Sequence, residues 1–363
     1  MRKIVLLVLS IGLIISSCNN NPDKRNNSPV NKKNRQIIIK EADTTDKTND
    51  FYDNAETYAL NIKNIEVKGE IENPGKVDFS GLPLHSVIVK ETLLDEDGNS
   101  FIGAYRYDGY SLYDILNKRV LKKKNENEFK PVIDLYVEVE NDSGEKVLIS
   151  WGEIFYPNHL HEIIVATNVM RIVPSKTNEL WKLPVESKLI ISSDLITERN
   201  ITNPNKITVK SYKKSFEVEK GKQALYSSKI DIFNGDKIVE TLYSNPKDLQ
   251  IETFNAIFYG RGRGIHSTQP FNGVLLKKVL GKHFKPTKEN LQKGLFAVVA
   301  DDGYRVVFTY SELCNRNDQS EILLICNPEV KEDGIFRIFP CCDFFSDRAV
   351  KAINEIHFCF QPD

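Results

Sequence analysis

The chain has 363 residues, a formal net charge of −1 and 40% hydrophobic residues. A balance so near neutral gives no electrostatic basis for binding nucleic acid or an anionic surface. The hydrophobic content suffices for packed cores, and the length allows roughly two domains.

The chain starts MRKIVLLVLSIGLIISSC. Arg2 and Lys3 form a basic start, and Ile4–Ile15 form an apolar run too short to cross a hydrocarbon core of about 30 Å as a mature helix. The run closes on Ser16-Ser17-Cys18. Small residues just before a cysteine resemble a bacterial lipoprotein signal, which implies removal of residues 1–17 and lipidation of Cys18. Buried acyl chains contribute about 0.8 kcal/mol per CH₂, so several chains hold a protein on a membrane. Residues 18–54 are rich in Asn, Lys, Asp and Thr. They cannot bury enough apolar surface to offset their ordering entropy and read as a tether. The expected location is therefore exported and lipid-anchored to the cell-envelope membrane. No later segment has the apolar length to cross a bilayer.

The rest of the chain is written twice. Tyr107–Lys118 (YDGYSLYDILNK) lines up with Phe271–Lys282 (FNGVLLKKVLGK). Asp134–Ile154 lines up with Gly294–Leu313, each a strand, a polar Gly-containing turn, a second strand and a helix start. Asp301-Asp302-Gly303 is a hairpin signal. Ser150 and Thr309 precede Glu153 and Glu312 by three residues, the spacing of a capping box. HEIIVATN pairs with SEILLICN, and MRIVP (Met170–Pro174) with FRIFP (Phe336–Pro340). The unit of roughly 150 residues is an ordinary domain size. The first copy spans 55–201 and the second 202–363, joined near Asn203-Pro204-Asn205. No βαβ alternation runs through either copy, so the expected class is α+β.

This order of elements resembles the molybdopterin-binding domain of sulfite oxidase-type oxidoreductases. The resemblance rests on five segments in sequence: FNGVLL, ADDGY, FRIFP, RAVKAI and EIHF. It implies two tandem β-rich folds of that type. It also implies a pterin cofactor held by the Arg of the Arg strand and the Lys of the basic turn, here Arg337 and Lys351. A phosphate suits a guanidinium fork, an ammonium and backbone N–H groups. The family's Asn-Gly is Asp333-Gly334 here, and its metal-binding cysteine aligns with Phe258 and Tyr259. The first copy has Leu93-Leu94 there and no cysteine; it keeps Arg171, and its basic turn is disrupted around Trp181-Lys182.

The GRGRG stretch, Gly260–Gly264, follows that position. It lacks the third glycine of a dinucleotide loop and the Gly-Lys-Ser/Thr of a phosphate loop. It reads either as a flexible surface loop or as an anion-facing one. The cofactor or anion set is then Arg261, Arg263, Asp333, Arg337, Arg348 and Lys351. His159, His161 and Glu162 are considered as metal ligands on one strand face, but they read as a polar loop. His266 and Ser267 lack a third catalytic partner. The late cysteines (Cys314, Cys326, Cys341, Cys342, Cys359) are odd in number, and their pairing stays open between bridges and buried thiols.

Two functions follow. One is a non-redox binding module on degenerate molybdopterin-binding-like domains, which takes a small anionic ligand or an exported protein partner. It has no firm cofactor. The other is a molybdopterin-dependent oxidoreductase acting on an S- or N-oxide-type substrate.

Overall fold

The computed structural model describes residues 56–360, apart from 97, 175–176 and 331–333. The signal segment, the tether, Cys18 and Asp333 lie outside the described residues. The described residues belong to one compact unit, Thr44–Asp363.

The chain is mostly β, with 44% strand and 11% helix, in small sheets arranged as a propeller-like ring. This corrects the expected α+β, sulfite oxidase-type fold. The physical reason lies in the helices. Among the described residues they are Leu112–Asn117, Trp151–Phe155, Leu276–Leu280, Lys288–Lys293 and Tyr310–Cys314, each of five or six residues. Pieces this short have no layer-forming apolar stripe and depend on what they pack against. The sequence signals for helix starts are real, but each start yields about one turn, so the cores are built by sheets.

Two pairs of sheets repeat one plan. In the first half one sheet runs in the order Gly75–Lys76, Glu66–Gly69, Pro204–Ser211, Leu135–Asn141, Lys146–Ser150. In the second half its counterpart runs Lys237–Leu242, Ile230–Asn234, Ile353–Phe360, Gly294–Ala300, Arg305–Thr309. Each contains one parallel contact, Ile207 opposite Val67 and Ile232 opposite Ile356. The other pair sets His85–Asp95, Gly98–Ser111, Ile163–Arg171 and Lys188–Ile191 against Glu252–Phe254, Phe271–Leu275, Ile322–Cys326 and Phe336–Pro340. Pro204–Ser211 completes a first-half sheet, so the stretch read as the joint between copies instead begins a strand. The register also re-pairs one motif. Ile191 lies opposite Ile163 as Pro340 lies opposite Ile322, so the partner of FRIFP is Lys188–Ile191 rather than MRIVP.

Local chemistry follows the sequence at the caps and turns. The Ser150 hydroxyl accepts from the Glu153 N–H at 2.9 Å, and the Thr309 hydroxyl accepts from the Glu312 N–H at 3.1 Å. Gly303 turns its hairpin at φ 78°, where a Cβ would lie 2.0 Å from the Glu217 carbonyl oxygen. One continuous core takes residues from both halves, including Trp151, Ile154, Phe308 and Leu313.

The glutamates of the two capping motifs do not turn back to their caps. Each meets a fully buried arginine. Arg199 forks onto Glu153 (2.6 and 3.0 Å) and Asp194 (2.6 and 2.8 Å). Arg348 pairs with Glu312 and forks onto Asp343 (2.6 and 2.7 Å). The hydroxyls cross between halves: Ser150 donates to Glu312 at 2.7 Å and Thr309 donates to Glu153 at 3.2 Å. Arg199 also donates to the Thr309 hydroxyl at 3.1 Å. A second tie runs from buried Arg305 in the second half to Glu128 (2.8 Å) and Asp134 (3.3 Å) in the first.

Breaking such a pair strands a charge in the interior, which costs about 3–5 kcal/mol. Arg199→Ala and Arg348→Ala should each lower unfolding free energy by about that amount, read as a fall in urea midpoint. Arg263→Ala, on an exposed turn, should shift it by less than about 0.5 kcal/mol.

Candidate functional site

The structure brings together two of the expected cationic residues. Arg337 sits on Phe336–Pro340, opposite Ile325 of the neighbouring strand. Lys351 meets it through an isolated antiparallel bridge. Both line an open cleft of about 400 Å³ with Phe271, Asn272, Cys326 and Asn327. The Arg337 guanidinium lies 5.7 Å from the Phe271 ring centre and 5.5 Å from that of Phe258. Phe271 is itself stacked on Phe339 at 4.0 Å, so the apolar side of the cleft is braced from behind. The first half has the same bridge between Lys188 and Thr202. There Lys188 is tied to Glu91 at 2.6 Å. Of the two bridges, only the one in the second half joins two cationic residues.

The other expected cations go elsewhere. GRGRG is the turn of a two-stranded ribbon, Phe258–Gly260 with Gly264–Ser267, and Gly264 takes φ 73°. Arg261 leaves that turn toward the first half, donating to the Tyr156 hydroxyl at 3.2 Å and lying 4.9 Å from the Phe345 ring centre. Arg263 is exposed at the turn. Arg348 is wholly buried in the interior network. Phe258, at the position aligned with a metal-binding cysteine, packs edge-on against Phe271 and Phe339.

A second cluster lies in the first half. His85 Nε2 is 2.7 Å from Asp114 Oδ2, and His161 Nδ1 is 3.4 Å from the same oxygen. The two imidazoles stack at 4.0 Å with 6° between planes. The Ser111 hydroxyl caps the short helix by accepting from the Asp114 N–H, and it donates to Asp114 Oδ2 at 2.7 Å. With its proton so placed, it is an acceptor for the His161 Nδ1–H at 3.0 Å. Burial, and then the neighbouring His85, hold His161 below the usual histidine range, against the pull of Asp114.

His161 was considered at the sequence level with the wrong companions. Residues 159–161 are not in a strand, which starts at Ile163, and His161 has φ 71°. That left-handed turn sends His161 to His85 and Asp114. His159 and Glu162 instead line a separate cavity of about 220 Å³ with Ser192 and Arg316. His85 and Asp114 carry no local motif. The only sequence signal for them is the repeat, which sets His85 and Asp114 against Glu252 and Lys278 of the second copy.

No known protein family, curated protein or solved structure matches this chain.

The five late cysteines are free thiols. Burial pushes Cys314 and Cys341 up to about 12, Cys342 well above its ordinary value, and Cys326 up as well. The adjacent Cys341 and Cys342 form no bridge, and Cys341 donates to the Glu321 carbonyl at 3.0 Å. Relative to an ordinary thiol, a value near 12 cuts the thiolate fraction at neutral pH by about 10³-fold. Iodoacetamide should therefore label Cys314 and Cys341 far more slowly in the native chain than in guanidinium, as read by peptide mass mapping. Equal rates would contradict the burial seen here.

Proposed function

We propose that this protein is a binding module that takes a small anionic molecule into the second-half cleft. The juxtaposition of Arg337, on its strand, and Lys351, bridged to it from the segment before the last strand, at the mouth of an aromatic-floored cleft carries the reading. A guanidinium offers a planar fork and an ammonium a compact charge, and together they suit a carboxylate, sulfate or phosphate. Asn272 and Asn327 add amide donors, and Phe271 offers a face for a ring or chain. The role is confined to binding because every feature used is one of recognition.

The oxidoreductase reading drew its cofactor from a fold that the chain does not have, so it is not carried forward. Cys326 does enter the cleft. Burial raises its thiol, so the group stands there as a neutral donor. The N-terminal pattern of Met1–Cys18 supports a lipid anchor, which would hold the exported module on a cell-envelope membrane.

Calorimetric titration of the full chain with phosphate, sulfate and citrate tests the reading. At least one should bind saturably. Arg337→Ala combined with Lys351→Ala should weaken that ligand by about 10–100-fold, the scale of charge-assisted hydrogen bonds. The thermal transition should stay cooperative. Unchanged affinity in the double variant would remove the cleft from the proposal.

A further inference from the structure

The strongest unassigned chemistry lies in the first half, on a frame that the second half uses for something else. His85 stands opposite Gly109 as Glu252 stands opposite Gly273. Asp114 is the third residue of the helix Leu112–Asn117, and Lys278 the third of Leu276–Leu280. His161 and Ser320 each precede by two residues the strands beginning at Ile163 and Ile322. In the second half these positions hold an outer ion pair, Lys278 to Glu252 at 3.7 Å, and a serine. The frame thus requires nothing more demanding than a surface salt bridge. In the first half it carries two imidazoles on one carboxylate.

That set is chemically unusual for a merely structural contact. Two imidazole rings face each other over one carboxylate oxygen, although one histidine would saturate the ion pair. The side chains are 15–31% exposed, so water reaches the cluster while its stems are fixed. The Ser111 hydroxyl donates to the same Asp114 Oδ2 and fixes its position. Ligating carboxylates and imidazoles are oriented in this way by a neighbouring hydrogen bond.

We propose that His85, Asp114 and His161 form a binding site for a divalent transition-metal ion. The donor set is two imidazole nitrogens and one carboxylate oxygen, suited to zinc and its neighbours rather than to calcium or magnesium. One ligand atom from each residue lies within 4.8 Å of the other two. Bonds of about 2.0–2.1 Å at tetrahedral angles place ligand atoms about 3.3 Å apart. The separation of His161 from Asp114 is already 3.4 Å, and that of His85 opens from 2.7 Å. The in-plane lone pairs of parallel rings do not meet at one point. Binding therefore turns an imidazole about its Cβ–Cγ bond, breaks the stack, and requires the His161 tautomer with its proton on Nε2, which gives up the Nδ1–H bond to Ser111. The partial exposure of the three side chains leaves room for water as a further ligand. This site is separate from the anion cleft and does not depend on it.

The test is a titration of the chelator-treated full chain with zinc chloride, followed by calorimetry. One ion per chain should bind with a Kd of roughly micromolar or below. His85→Gln, His161→Gln and Asp114→Asn should each weaken it at least about tenfold. His159→Ala should leave it unchanged, because His159 faces the other cavity. The conservative variants are chosen to keep the fold, which circular dichroism checks. Cobalt substitution gives a second readout: strong visible absorption of the low-coordinate ion in the wild type, lost in His161→Gln. Retention of zinc affinity in the His85→Gln, His161→Gln double variant would overturn the proposal. So would the absence of saturable binding up to about 1 mM zinc.

Discussion

Two buried guanidiniums hold the ring together. Arg199 and Arg348 each satisfy two carboxylates of their own half, and the hydroxyls of Ser150 and Thr309 carry the contact across to the other half. The group holds four carboxyls against two guanidiniums. Burial raises Glu312 and brings Asp194 up to about 6, the direction that lets retained protons offset the excess negative charge. A buried ionic cluster is weak evidence for net stability, because desolvation offsets much of its attraction. Its strength is geometric: a fork fixes both partners in direction as well as distance. The segments so fixed are Asp194–Arg199 and Asp343–Arg348. Lys351 follows Arg348 by three residues, and Ala352 turns at φ 47°. The cleft where Lys351 meets Arg337 is thus set by an arginine that never faces it.

The two halves share a frame and divide the chemistry. At the strand bridge the first half has Lys188 and Thr202, the second Arg337 and Lys351. At the strand–helix corner the first half has His85, Asp114 and His161, the second Glu252, Lys278 and Ser320. Each half is the richer at one place and plain at the other. A copy that needs only to fold can keep a salt bridge or a threonine at such points. The sheet itself does not require the cationic pair or the histidine pair, which is why the two proposals rest on them.

Much of the repeat was legible in the sequence because strand hairpins and caps are local. The two capping hydroxyls and the Asp-Asp-Gly turn fall where their chemistry demands, whereas YDG and FNG, read from the sequence as Asx-Gly turns, lie inside the strands Gly98–Ser111 and Phe271–Leu275. Fold class was not legible, because a helix start does not announce its length. Leu112 begins its helix after the Ser111 cap and Leu276 begins one with no side-chain cap, and both stop after about one turn. Motif likeness also misdirected one pairing. MRIVP shares Arg, Ile and Pro with FRIFP, yet the ladder chooses Lys188–Ile191, a segment with little identity but the same neighbours. The segments SSDLITERN and CCDFFSDRA carry the same Asp-x₄-Arg spacing in both copies, which was the sequence signal for the buried forks. The histidine cluster joins three distant segments, and only the register places them together.

The interface between halves is not a true two-fold, and one difference lies beside the buried arginines. Gly152, second in the helix after Ser150, lies under Arg348, where a Cβ would sit 2.3 Å from Nη1. Its counterpart after Thr309 is Ser311, whose hydroxyl donates to the Leu291 carbonyl at 2.9 Å. Arg199 therefore reaches its carboxylates without needing the space that Arg348 takes. The arrangement makes the halves non-interchangeable: neither could be replaced by a second copy of the other without closing the Gly152 gap or losing the serine contact. A duplication locked in this way can diverge at its outer corners while its centre stays fixed. Cations gathered at one corner and histidines at the other are consistent with that freedom.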